Sequence, residues 1–498
     1  MSIISRTMYP LQTSMNLISR MQDQFATLQT QLATGQKATN LAEMGSDRYF
    51  DLSIRSRMGR IEGYQSSIDM VNLRLSVFDS VTTRLDTVEA GARNAMTPGA
   101  YGSSNANFGT VPSLARSNLD EVVNLLNTDV DGRYLFSGGK TDQRPVADSA
   151  ALLDGVAGKA GFKQVAAERQ AADVGNGLGR LTLSSATDTV TLAEDGAHPF
   201  GFKLSTLTAS SGAVTLTQPS GSPQSLAVKF DSLPLEGDSI TLGLTLPDGS
   251  EEGITLKAVS GTPAAGEFQI GADANATAAN FQAALQSSFT AMGGTALVAA
   301  SNNAAAENFF NGQGDPVLRV VGPSFSTATQ LQTADPTTTV IWYKGEDAAD
   351  ARASVGAKVD DTATVNYGAQ ANESGTLNLM RGLAVLAIQS FTNADTTSTG
   401  RFDAIAERNS ARLAESHNSE QGSIEMLTVE LGNARATVGN VSTRHGTYKA
   451  QLENMLSDLE SVPKEDVAMQ ILALQTRLQA SYQATSTIAQ MSLVNYLK

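Results

Sequence analysis

Apolar residues recur at helical spacing near both ends of this 498-residue chain, and that constrains its fold more than any other feature. Ile4, Leu11, Ile18, Phe25 and Leu32 fall on a seven-residue repeat, and Met8, Met15, Met21 and Leu28 widen the stripe. That is the period at which one helix lies along another. Gly35 and Asn40 predict its end. Ile68, Val71, Leu75, Phe78, Leu85 and Val88 predict a second helix, and the Pro-, Gly- and Ser-rich stretch 97–113 a loop. A third helix is expected from about Leu114 to Val130, closing at Asp131-Gly132. Toward the other end, steps of three and four run unbroken through Ile424, Leu427, Leu431, Ala434, Val438, Val441, His445, Tyr448, Leu452, Met455, Leu459 and Val462. Pro463 interrupts the helix. Lys464-Glu465-Asp466 then open a last one carrying Val467, Ile471, Leu474, Leu478, Ile488 and Leu493.

Between these ends the pattern changes. Segments 213–230 and 239–259 alternate Thr, Val, Leu and Ile between Gly, Ser, Pro and Asp turns, which predicts short antiparallel strands. Residues 275–289 predict a helix among them. The reading is therefore α+β. N- and C-terminal helices pair into an elongated coiled-coil or helical-bundle core, with a β-rich outer domain inserted. The expected divisions are 1–45 with 464–498 as a terminal assembly region, 46–145 with 365–463 as a bundle core, and 146–364 as the outer domain. Ile424, Leu427, Leu431, Val438, Val441, Tyr448, Leu452 and Met455 are expected in the bundle core. Ile4, Leu11, Ile18, Phe25, Leu32, Ile471, Leu474, Leu478, Ile488 and Leu493 are expected at an assembly interface, because chain ends are ordinarily frayed and polar.

Composition removes several classes of function. The net charge of -15 opposes binding to a phosphate backbone. Carboxylates outnumber basic side chains two to one over 151–370, as in a solvated outer domain. There is no cysteine, so no disulfide, thiolate metal site or cysteine nucleophile is possible. No run of 18 apolar residues spans a membrane. The first thirty residues lack the apolar core and small-residue cleavage site of a signal peptide. Gly139-Lys140-Thr141 ends like a phosphate-binding loop, but Tyr134 stands where its first glycine belongs. A turn burying Tyr134, Leu135 and Phe136 is expected instead. His445 is expected to pack on the apolar seam, and Glu346-Asp347 and Asp360-Asp361 to be solvated. No enzyme chemistry, cofactor or metal site is read from the sequence.

The helical ends resemble the flagellin-like axial proteins of the bacterial flagellum. Residues 474–498, LQTRLQASYQATSTIAQMSLVNYLK, are similar to that family's C-terminal tail. DGRYLFSGGKTDQRPV (131–146) is similar to the turn of its hook–filament junction members, the family motif being Gly132, Arg133, Tyr134, Leu135, Phe136, Ser137 and Gly138. ISRTMYPLQ (4–12), LATGQKATNLAEMGSD (32–47) and the return segment 342–387 resemble those members too, and the Arg-Ile-Asn-Ser-Ala-Lys-Asp-Asp-like stretch of filament flagellins is missing. The resemblance implies an extracellular structural subunit exported by the flagellar type III route without a cleavable signal. It implies a homo-oligomeric ring, with an adjacent hook-associated protein (FlgK) and flagellin as neighbours and a FlgN-type export chaperone covering part of 424–498. A filament subunit is the alternative; a glycan-binding or glycan-acting middle domain is a third.

Overall fold

The computed structural model describes residues 8–101, 107–311, 316–393 and 395–496, with side chains from 12 to 490. The fold is α+β. The helices are α1 (Met8–Thr34), α2 (Arg48–Ala95), α3 (Val111–Leu126), α4 (Ser149–Asp154), α5 (Phe162–Val174), α6 (Ala274–Gly294), α7 (Ala296–Phe309), α8 (Ser374–Ala387), α9 (Thr396–Arg412), α10 (Ile424–Glu460) and α11 (Lys464–Tyr496). The chain divides into two compact units. One comprises Met1–Met70, Lys358–Thr364 and Thr437–Lys498; the other comprises Val71–Ala357 and Val365–Ala436. The divisions fall within α2 and α10, both of which run on through them.

In the first unit α1 packs along α11. Ile18, Met21 and Leu474 are buried there, flanked by half-buried Phe25, Leu28 and Leu478. Gly35 ends α1 at φ 73°, a conformation that glycine reaches without a Cβ clash. Its carbonyl accepts from Val462 N (3.0 Å), while Lys37 N donates to Glu460 O (2.6 Å). The turn after α1 is thereby tied to the break that Pro463 imposes. A second cluster joins Ile54, Ile61 and Leu452, with Met58, Leu456 and Leu459 against it.

The second unit holds the larger core. The rest of α2 buries an apolar stripe of its own, including Val71, Leu75, Phe78, Leu85 and Val88. Strands β1 (Asp129–Val130) and β2 (Arg133–Tyr134) form a hairpin just after α3. The third helix thus stops at Leu126, four residues short of expectation. Asp131 and Gly132 both take positive φ (56° and 71°), as a two-residue hairpin turn requires. Tyr134 is only half-buried, contrary to expectation, because it lies on this short ribbon; Leu135, Phe136 and Ser137 are buried.

Further along come β3 (Leu181–Ala186), β4 (Thr189–Glu194), β5 (Lys203–Ala209), β6 (Val214–Gly221), β7 (Gln224–Phe230), β8 (Ser239–Thr245), β9 (Glu251–Val259) and β10 (Glu267–Gln269). They make two four-stranded sheets, ordered β3-β4-β7-β6 and β10-β9-β8-β5. Every pairing is antiparallel except β9 with β10, which is parallel. Alternating residues such as Val190, Leu192, Leu226, Val228, Leu242 and Leu244 meet Phe281, Leu285 and Phe289 of α6 in one core. The middle of the chain is less purely β than expected, because α5 and the almost fully buried α7 pack together within it.

Candidate assembly surface

Within the first unit the expected interface residues divide into two sets. Ile18 and Leu474 are buried between α1 and α11 of the same chain, with Phe25 and Leu478 beside them. Leu32, Ile471 and Ile488 are half-buried. Ile4 and the side chains of Leu11 and Leu493 lie outside the described residues. Part of the seam is therefore already covered within one chain. Other apolar side chains remain uncovered on the same helices: Met15 (61% exposed), Leu17 (54%), Met469 (61%) and Leu472 (63%). Met15 was expected on the seam. Leu17, Met469 and Leu472 sit off the seven-residue repeat, so no periodicity argument selects them. Among the described residues no helix is long and apolar enough to cross a membrane.

The expected bundle-core residues Ile424, Leu427, Leu431, Val438, Val441 and Leu452 are buried. Tyr448 (38% exposed) and Met455 (56%) are not. After His445 the buried stripe passes through half-buried Lys449 to Leu452, Leu456 and Leu459, so it advances by four where the sequence pattern allowed three. Tyr448 instead accepts a hydrogen bond from Arg57 Nη1 (3.1 Å).

The polar candidates resolve into structural roles. His445 is buried, with Nε2 2.9 Å from the Val359 carbonyl and its ring stacked on Tyr64. Asp360 meets Arg444, and Asp361 accepts from the Tyr64 hydroxyl (2.8 Å). His198 lies between Asp195 (2.6 Å) and Arg180 (2.9 Å). The loop Gly138-Gly139-Lys140-Thr141 carries its own anion, since Glu346 Oε2 accepts from Gly139 N at 2.6 Å. Lys140 Nζ is turned to the Gly345 carbonyl (3.3 Å). A phosphate would have to displace a carboxylate held by the fold. Glu346 and its neighbour Asp347, which accepts from Asn372 Nδ2 (2.7 Å), are thus engaged rather than freely solvated. Several carboxylates of the acidic middle are buried in ion pairs, among them Asp173 with Arg169 (2.8 Å) and Asp248 with Arg408 (2.7 Å). Among the described residues no cluster of His, Asp and Glu has the makings of a metal site.

Glu89 of the second unit is a buried carboxylate of another kind. Its side chain is buried, and Oε2 has no hydrogen-bond partner. Burial first, and the nearby Glu425 second, push its pKa from 4.5 up to about 7, against the pull of Arg93. The folded chain then holds this proton where the unfolded chain has released it. Stability is fully present below about pH 4.5 and falls as pH rises toward 7, by about 2–3 kcal/mol in all. Glu89→Gln is expected to raise the unfolding midpoint at pH 8 and to flatten this slope in denaturant titrations from pH 4.5 to 8. An unchanged slope in the variant would assign the pH dependence elsewhere.

No protein-family model matches the chain, and comparison with curated proteins finds no match.

Proposed function

We propose that this chain is a non-catalytic structural subunit of the bacterial flagellum, an adaptor of the FlgL type at the hook–filament junction. The observation that carries the reading is the apolar side chains exposed on α1 and α11: Met15, Leu17, Met469 and Leu472 stay uncovered beside a seam that is partly buried within the chain. Scattered exposed apolar residues are ordinary, but four on two adjacent helices are a surface suited to burial against neighbours. On this reading the paired terminal helices are coiled-coil elements that join those of other copies in a ring, and the β-rich middle is an inserted outer domain. The adjacent hook-associated protein FlgK and flagellin are the axial neighbours. A FlgN-type chaperone masks the C-terminal helices before type III export to the cell exterior. The choice of junction protein over filament subunit rests on the turn motif 131–146 and its neighbouring sequence resemblances.

Immunogold labelling of intact flagella with antibody against 146–364 tests the reading. A single narrow band where hook meets filament is the expected result. Label along the whole filament would make the chain a flagellin, and absence of label from every flagellum would overturn the flagellar assignment itself.

A further inference from the structure

The turn motif has a second face. Arg74 of α2 and Arg133 of β2 line one small recess of about 20 Å³, floored by Phe78 and Leu135 and walled by Thr141 and Tyr367. The groups around it are donors in excess. Arg74 Nη1 donates to the Tyr367 hydroxyl (2.9 Å), while its Nε is buried with no acceptor. Because Tyr367 accepts there, its own O–H proton remains available, and among the described residues it has no acceptor. Arg133 Nε donates to Thr141 Oγ1 (3.3 Å), and among the described residues its remaining N–H groups have no acceptor. Neither guanidinium makes an ion pair among the described residues. Asp129 of the hairpin accepts instead from Gly132 N (3.0 Å). Arginine offers donors only, in a planar fork that matches an oxyanion.

We propose that this recess is a binding site for a compact oxyanion, a carboxylate or inorganic phosphate. The volume admits about one oxygen atom. One ligand oxygen enters to accept from Arg74 Nε and Tyr367 Oη, and the rest of the anion lies at the mouth against exposed Arg133. Such charge-assisted bonds satisfy the orphaned donors and offset the positive charge of the two guanidiniums. A water molecule satisfies the donors but leaves both charges standing. The site stands independently of the assembly reading, since it depends only on groups within the second unit.

The test uses the full chain labelled with ¹⁵N-arginine, following the Nε–H signals of Arg74 and Arg133 as inorganic phosphate is added at constant ionic strength. Saturable shifts of both signals with one shared Kd are expected. Arg133→Gln changes an exposed residue, so the fold persists, and it is expected to weaken that Kd at least tenfold as read on Arg74. Tyr367→Phe is expected to weaken it several-fold. A parallel titration with acetate distinguishes the source. Competition by acetate means that a protein carboxylate is an admissible occupant; a response to phosphate alone means a free inorganic anion. Shifts no larger than chloride produces, a linear response, or the same Kd in Arg133→Gln would overturn the site and leave it to water.

Discussion

Removal of residues 465–498 is expected to abolish flagellar assembly while leaving the sheets and helices of the second unit folded. The deletion takes away nearly all of α11, and with it Leu474 and Leu478, the partners of Ile18, Met21, Phe25 and Leu28. Leu472 and Met469 of the proposed intersubunit surface go too. Each apolar side chain returned to water costs roughly 1.5–3 kcal/mol, so α1 loses most of what holds it in place. Residues 465–498 all belong to the first unit, and the second unit keeps its own cluster of sheet and α6 residues. The checks are electron microscopy of cells carrying the truncation and denaturant unfolding of the purified chain. Normal flagella would sink the proposed terminal contact; loss of the second unit's unfolding transition would sink its independence.

Phe281→Ala is expected to have the largest effect of any single substitution in the β-rich middle. Phe281 of α6 meets Phe230 of β7 and Phe268 of β10 edge-on, at ring separations of 5.6 and 5.3 Å. All three are essentially inaccessible to solvent. They join α6 to both sheets at one point, so collapse into the cavity would have to move elements from three directions. Truncation of a buried phenylalanine in a site that cannot close costs about 3–5 kcal/mol. Urea unfolding followed by far-ultraviolet circular dichroism measures it. A loss under about 1 kcal/mol would mean that the site relaxes freely, against the close packing of interiors. Assembly is expected to survive in conditions where the variant stays folded, since Phe281 lies far in sequence from the proposed contact surface.

Helix positions were legible where apolar spacing was long and uninterrupted. The stripe from Ile424 to Leu452 and the stop at Pro463 needed only local rules, and α10 and α11 follow them. The Asp131-Gly132 turn was legible as a turn, but the switch from α3 to a two-residue ribbon was not, because Val130 continues the apolar pattern into a strand. Helix α7 escaped notice altogether. Its sequence ALVAASNNAAAENF is small and apolar nearly all round, as suits burial on every side, and so it has no stripe to read. Surface sites were harder still. Leu17 and Leu472 are recognised only once their neighbours' directions are known. The recess at Arg74 joins residues that local spacing cannot relate, since Arg74 and Tyr367 stand 293 residues apart.

The buried turn at Phe136 and Ser137 has a consequence for how the chain tolerates change. Backbone bonds from Gly138 N to Ala369 O (2.9 Å) and from Ala371 N to Phe136 O (2.9 Å) pin the outgoing and returning chain together. The stretch from 139 to 368 departs and returns at that point. The entropy of closing a flexible loop grows only with the logarithm of its length, about 0.6 kcal/mol for each doubling. Doubling one of the flexible surface turns within the enclosed stretch therefore costs less than one ordinary core contact. The pairing at 136–138 and 369–371 therefore tolerates longer or shorter surface turns in what it encloses, but not loss of the Asp248–Arg408 and Glu307–Arg412 pairs that tie that stretch to α9, and substitutions at buried Phe136 or Ser137 are not free.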